Sequence, residues 1–455
     1  MALQSINPFN GSIIKTYQPD SPEVVNNKID ETHQAWLNWK GTSFNQRAEY
    51  LKNIARVLRN QKEDMAKLMA LEMGKPLNAG ISEIEKCAGC CEFYAEHAES
   101  FLRNELIETE ASKSYVTFQP LGIILAIMPW NFPFWQLFRF LAPALMAGNC
   151  GVLKHASNVS GCALAIEEII KEAGLPQFVF QTLLVGSETV NAIIENPLIK
   201  AVTLTGSTDA GKKVAQKAAS LLKKTVLELG GSDPYIILAD ADLKNTTKTC
   251  VESRLINNGQ SCIAAKRFIV VKEIAEQFTQ LFKEYMTNKL LGDPLDDKTD
   301  IGPQARTDLR DDLHQQVLKS IELGAKCILG GKIPEGKNAF YPATVLINVK
   351  KGMPAYDEEL FGPVASIIIA EDSEDAIRIA NDSTFGLGAA IFSGDINLAE
   401  EIAATKLEAG SCFVNESVKS DVRLPFGGIK QSGYGRELGL YGIKEFVNIK
   451  TVYIK

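Results

Sequence analysis

The sequence predicts an α/β fold with two doubly wound sheets and a small β element belonging to neither. Three observations carry this. From residue 121 short apolar runs alternate with helical stretches, a second such series begins after Gly230-Gly231, and alternating segments at 115–118 and 447–455 stand apart from both.

Taken in order, Ser21-Pro22 supplies an N-cap and first helical position for a helix that carries Val25, Ile29, Trp36 and Trp39. A second amphipathic helix sets Leu51, Ile54, Leu58, Met65, Leu68 and Met69 on its inner face and stops at Gly74, with Pro76 just beyond. The first series reads strand 121–127, helix 134–147, strand 151–154, helix 160–173, strand 178–185, helix 187–195, strand 201–205, helix 209–221 and strand 225–229. Strands joined through helices pair in parallel. The second series places strands at 235–238, 268–271, 364–369 and 389–392. No internal repeat or flexible linker separates the units, so they read as interleaved. Isolated strands such as 447–455 often pair between subunits.

A chain of 455 residues can bury a core in each of two or three domains. The formal charge of −7, with no cluster of lysines and arginines among aromatics, argues against nucleic acid as a partner. It also means that any anionic ligand must be held by a few local cations. The start, from Met1, lacks the basic and apolar regions of a secretory leader, and the most apolar stretch, 121–135, is broken by Pro129 and Pro133 and too short to span a bilayer. A soluble, cytoplasmic protein without a membrane partner is expected. Nine cysteines, an odd number thinly spread, suit a reducing compartment. Cys87, Cys90 and Cys91 fall at i, i+3, i+4 of a helical pattern with no second ligand pair following, which reads as a packed helix face and leaves no metal site.

Four segments hold residues suited to chemistry. Gly259-Gln260-Ser261-Cys262 puts a thiol in a loop between a helix and a strand, either as a nucleophile or as an inert filler. Val226 to Gly231 embeds Glu228 in an apolar strand, where burial raises its pKa toward that of a general base, unless it caps a helix or pairs with a lysine. Pro129-Trp130-Asn131-Phe132-Pro133 holds an amide between two prolines, rigid enough for an oxyanion donor or simply an ordinary turn. Leu204 to Gly211 follows a strand and opens a helix, so its backbone N–H groups could meet a pyrophosphate, although its glycines are not spaced as in the usual dinucleotide fingerprint.

Together with Leu153-Lys154, Glu359-Leu360-Phe361-Gly362-Pro363 and Pro425-Phe426-Gly427-Gly428, these segments resemble, in order and spacing, the aldehyde dehydrogenase superfamily over essentially the whole chain. Lys154-His155-Ala156 and Ser420-Asp421-Val422-Arg423 resemble its shorter bacterial succinate semialdehyde dehydrogenase branch. The resemblance implies a Rossmann-like cofactor domain (1–100 and 120–230), a catalytic domain (231–430) and an oligomerisation element (101–119 and 431–455). It implies a homodimer or homotetramer acting on a small aldehyde with NAD or NADP. Cys262 would be the nucleophile, Asn131 and the Cys262 N–H the oxyanion donors, and Glu228 the base that hydrolyses a thioester.

On the cofactor side the resemblance assigns Trp130, Lys154, Ser157, Gly206, Ser207, Glu359 and Phe361, with Lys154 as the local cation that the negative chain demands. Ser157 stands where NAD-preferring relatives commonly carry a glutamate, so NADP is expected to be tolerated. His155 replaces a frequent proline. On the substrate side it assigns Arg139, Ser420 and Phe426, the arginine suiting two-pronged contact with a substrate carboxylate. A second arginine expected six residues before the nucleophile is absent, Ile256 standing there, which leaves Arg254, Lys419 or Arg423 as stand-ins. Ala264 removes the second cysteine that forms a local disulfide in some relatives. The expected reaction is oxidation of succinate semialdehyde, with glutarate semialdehyde second. A thiol esterase using Cys262 and Asn131 without redox chemistry is the alternative.

Overall fold

The computed structural model describes residues 3–336 and 338–455, so the part of the leader reading that rests on Met1 and Ala2 lies outside the described residues. Its largest elements are two parallel-rich sheets flanked by helices. The first has the order Gly433–Tyr434, Lys224–Glu228, Ile199–Thr205, Ile123–Met128, Cys150–His155, Phe180–Thr182. Its pairings are parallel except at Gly433–Tyr434, which runs antiparallel to Lys224–Glu228. Chain order reverses between Ile123–Met128 and Ile199–Thr205, and the carboxyl ends of such a pair of strands form the crevice where doubly wound sheets bind ligands.

The second sheet contains Lys326–Leu329, Thr344–Ile347, Val364–Ala370, Arg267–Val271, Pro234–Ile237, Gly388–Phe392 and Ser411–Val414, in that order. Sequence patterning found the four central strands but not 326–329, 344–347 or 411–414, each only four residues long, the first and last of them partly solvated at the sheet edges. Residue alternation builds the core on both faces: Ile236, Ile269, Ile368 and Ile391 point into one cluster, and Tyr235, Phe268, Val270, Ile367 and Phe392 into the other.

The helices follow from local signals. Ser21 Oγ accepts from Val24 N ahead of Pro22–Trp39, and a capping box of Ser43 and Gln46 opens Phe44–Asn60. The single helix expected up to Gly74 is two, Phe44–Asn60 and Lys62–Met73, broken at Gln61. The break lets both halves pack on the helix Leu77–Phe101. Gly74 does end the second half, with φ 76°. Cys87, Cys90 and Cys91 are buried in the cluster beneath the first sheet, as the helix-face reading expects.

The segments 115–118 and 447–455 pair with one another inside the chain, where a partner subunit was the expectation. Val447–Ile454 lies antiparallel to Lys113–Pro120, and Glu105–Leu106 completes a separate three-stranded sheet. No helix among the described residues is long and apolar enough to cross a membrane.

Candidate active site

At the crevice of the first sheet a cavity of about 730 Å³, partly open to solvent, is lined by Pro129, Trp130, Asn131, Thr205, Gly206, Ser207, Leu229, Gly230, Cys262, Leu309, Glu359 and Phe361. Seven residues singled out from sequence therefore meet here: Trp130, Asn131, Gly206, Ser207, Cys262, Glu359 and Phe361. The cavity wall does not include Lys154, Ser157, Glu228, Arg139, Ser420 or Phe426. Each of these sits behind the wall or on a neighbouring element.

The Cys262 loop has an unusual backbone. Asn257, Asn258 and Gly259 are consecutive left-handed residues with φ of 52°, 60° and 76°, a conformation tolerated best by asparagine and glycine. A Cβ on Gly259 would lie 2.3 Å from the Gly362 carbonyl, so this position accepts no side chain without moving the Glu359–Pro363 segment. Asn131 Nδ2 donates to the Gln260 carbonyl at 3.1 Å, and Asn257 Nδ2 donates to the carbonyls of Asn131 and Gln260 at 2.7 and 3.1 Å. The amide of the Pro129–Pro133 turn is thus tied to the Cys262 loop two residues before the sulfur.

Lys266 was not singled out from sequence. Its Nζ donates to the carbonyls of Ser261 and Cys262 at 2.8 and 2.6 Å and lies 3.3 Å from Glu359 Oε1. Nothing in a lone lysine four residues after a cysteine marks this role; the fold supplies it by turning the chain back on itself. Burial pushes the Cys262 thiol up to about 12, while the positive charges of Arg139 and Lys266 oppose the shift.

Glu228 ends the strand Lys224–Glu228 and is only 2% exposed, and neither carboxylate oxygen has a hydrogen-bond partner. Burial raises its pKa well above the carboxylate range, against the pull of Arg139. The sequence alternatives of a helix cap or a lysine pair are not what the fold uses. An unpartnered buried carboxyl has its protons free for exchange with water or substrate.

Arg139 projects from the helix Trp135–Met146 and is buried. It forms an ion pair with Glu437, donates through Nη2 to Thr205 Oγ1 at 3.2 Å, and lies 4.9 Å over the Phe426 ring. Ser420 Oγ accepts from Lys86 Nζ at 2.6 Å. Glu83 Oε1 accepts from the Phe134 and Trp135 N–H groups, each at 2.9 Å, and pairs with the buried Lys75, so a carboxylate satisfies the start of the Arg139 helix. Glu83, Lys86 and Glu437 also escaped sequence reading, because isolated glutamates and lysines carry no pattern that tells a buried pair from a solvated side chain.

The remaining cofactor candidates cluster at the same sheet edge. Ser207 Oγ caps the helix Thr208–Ala219 by accepting from Ala210 N, and Trp130 meets Phe361 edge to face at 5.7 Å. Lys154 lies on the strand Cys150–His155; burial lowers its pKa while nearby Glu188 opposes this. Ser157, exposed, begins the short helix Ser157–Val159. His155, whose effect sequence left open, accepts at Nδ1 from Ala156 N at 2.9 Å and so donates from Nε2 to the Pro133 carbonyl, also 2.9 Å. It pins the Pro129–Pro133 turn to the neighbouring strand.

A doubly wound sheet whose crevice carries a thiol and a fixed amide, with a buried carboxyl at the end of an adjoining strand, fits a dinucleotide-linked thiol enzyme as a class. The chain belongs to the aldehyde dehydrogenase family, whose model matches residues 1–452. It is 48% identical over 454 residues to a probable succinate-semialdehyde dehydrogenase of Synechocystis sp. named for NADP(+), covering 100% of both chains. It is 45% identical over 449 residues to the succinate semialdehyde dehydrogenase Sad of Escherichia coli (strain K12), named for NAD(P)+, covering 99% of this chain and 97% of that one. Among solved structures, succinic semialdehyde dehydrogenase from Streptococcus pyogenes in complex with NADP+ matches with a TM-score of 0.97 at 36% identity over 100% of both chains.

Proposed function

We propose that the chain oxidises a short ω-carboxy aldehyde, succinate semialdehyde first and glutarate semialdehyde second, to the acid with NADP+, NAD+ also being accepted. The observation that carries this reading is the convergence of Cys262 and Asn131 on one cavity, with the Arg139 guanidinium close enough to bear on the thiol.

In this reading the Cys262 thiolate adds to the aldehyde carbon, and the new oxyanion is held by the Cys262 N–H and by Asn131 Nδ2, one of whose hydrogens is already committed to Gln260. Each such donor contributes roughly 10²- to 10³-fold in rate. When bound, NADP+ supplies the acceptor for the hydride. Glu228 then takes a proton from the water that cleaves the Cys262 thioester. A thioester suits this step because sulfur leaves readily toward an oxygen nucleophile.

The residues present fit a dinucleotide. Ser207 and the helix it caps suit the pyrophosphate, Glu359 and Phe361 suit the nicotinamide ribose, and Lys154 suits the adenosine ribose. Gly230 keeps the approach to Glu359 clear, since a Cβ there would come within 2.6 Å of Glu359 Oε2. Ser157 presents a hydroxyl rather than a charge to a 2′-phosphate. Arg139 and Ser420 with Phe426 suit the distal end of the substrate.

Residues 1–100 and 120–230 are assigned to the cofactor domain, 231–430 to the catalytic domain and 101–119 with 431–455 to oligomerisation. The outer strand Val447–Ile454 leaves Ile449 62% and Tyr453 51% exposed, which supports a homodimer or homotetramer joined there. Nine free thiols support a cytoplasmic location.

The test is steady-state kinetics on succinate semialdehyde, glutarate semialdehyde, butanal and pentanal with each dinucleotide. Reduction of NADP+ with kcat/KM at least tenfold higher for the carboxylated aldehydes is the expected result. Equal values for charged and neutral aldehydes overturn the substrate class. Hydrolysis of an activated ester with no dinucleotide reduction by any aldehyde favours the esterase instead.

A further inference from the structure

Resting on the carboxylate reading above, the structure bears on what replaces the missing second arginine. Ile256 lines a different cavity, with Pro76, Asn78 and Lys289. Of the stand-ins suggested by sequence, Lys419 pairs with Glu416 at 3.0 Å and Arg423 with Asp421 at 2.6 Å, while Arg254 is wholly buried and donates through Nη2 to the Gly259 carbonyl at 2.7 Å, its Nε and Nη1 having no partner among the described residues.

Lys86 is different. It rises from the helix Leu77–Phe101 with its Nζ 4.1 Å from the Trp135 ring centroid and 2.6 Å from Ser420 Oγ. Among the described residues no carboxylate lies within 4.0 Å of it, whereas Lys28, Lys75, Arg139 and Lys266 each have one. Trp135 and Arg139 are one turn apart on their helix, so the ammonium over one and the guanidinium of the other share a side. Ser420 accepts from Lys86, which leaves its own proton to donate. Two cations and a hydroxyl donor therefore lie together, Arg139 within electrostatic reach of Cys262, and the Arg139 charge has a carboxylate partner while the Lys86 charge has none.

We propose that Lys86 is the second cationic ligand of the substrate's distal carboxylate, in place of an arginine at Ile256, and that it orients the Ser420 hydroxyl toward the same group. The ammonium approaches from the helix Leu77–Phe101, over the Trp135 ring. Burial and then the Arg139 charge push the ammonium down to about 8, and an anion bound between the two cations relieves the repulsion. Lysine is a point charge without the guanidinium fork, so it tolerates carboxylates at slightly different distances.

The test compares the ratio of kcat/KM for succinate semialdehyde to that for butanal in the full-length protein and in Lys86→Met, Lys86→Gln and Lys86→Arg. The ratio is expected to fall tenfold or more in the two neutral variants, through KM for the charged aldehyde, and to stay within threefold of the starting value in Lys86→Arg. An unchanged ratio in either folded neutral variant overturns the proposal and leaves Lys86 as packing on Trp135. A ratio near one in the unsubstituted protein sinks the substrate reading itself. Should Lys86→Met fail to fold, Lys86→Gln and Lys86→Arg decide between these outcomes, since a packing role predicts that glutamine keeps the ratio.

Discussion

Arg139 and Glu437 form an ion pair whose side chains are 2% and 4% exposed. Removing one member leaves the other charge buried, at a cost of about 3–5 kcal/mol, whereas replacing both by neutral groups is often close to neutral. Arg139→Met therefore lowers the unfolding free energy by that amount, and Arg139→Met/Glu437→Gln recovers more than half of it. Chemical denaturation of the three proteins measures this. Kinetics of the double variant then report on substrate affinity with the stability loss largely removed, and an Arg139→Met protein as stable as the parent counts against the pair.

The Cys262 thiol, pushed up to about 12 by burial, is almost entirely protonated at neutral pH in the protein without ligands. Only the thiolate reacts with alkylating agents. Iodoacetamide inactivation of the free protein accelerates about tenfold for each pH unit between 7 and 9, and Cys262→Ser abolishes dehydrogenation. A rate that levels off below pH 8 contradicts the assigned environment.

Burial raises the Glu228 pKa above its unfolded value, so the ionised base that hydrolysis uses is reached as pH rises. A carboxyl of this kind stabilises the fold fully below the unfolded pKa, and the contribution is lost as pH rises through the folded one. Glu228→Gln keeps the neutral form at every pH. It is thus more stable than the parent at pH 8 and little different at pH 4, by thermal unfolding. With substrate it releases one equivalent of reduced dinucleotide per site and then slows at least a hundredfold, because the thioester has no base to hydrolyse it.

Ser157 is exposed at the start of its short helix, near the end of the strand bearing Lys154. Ser157→Glu adds a carboxylate that binds ribose hydroxyls and repels a 2′-phosphate. KM for NADP+ rises at least tenfold while that for NAD+ falls or holds, as read by dinucleotide titration at saturating aldehyde. Parallel changes for both dinucleotides place the adenosine end elsewhere.

Much of this was legible in the chain itself, and the omissions have physical reasons. The central strands of both sheets are buried on two faces and read as apolar runs, whereas Ser411–Val414 and Lys326–Leu329 lie at sheet edges where patterning weakens. Cys262, Asn131 and the Gly206-Ser207 turn sit in short motifs whose backbone demands leave a signature in glycine and proline. Lys266, Lys86, Glu83 and Glu437 leave none. Each acts across a separation in sequence, or through a carbonyl, that only the folded chain creates; Lys86 meets Ser420 across 334 residues.

The antiparallel strand Gly433–Tyr434 completes the first sheet beside Lys224–Glu228 from about two hundred residues further along the chain. During synthesis the strand Lys224–Glu228 emerges with that sheet edge bare and must wait until residue 434 has been made before it is covered. Such late closure favours slow maturation and an early need for protection from association, and it makes carboxyl-terminal truncations damaging to a unit encoded more than two hundred codons upstream.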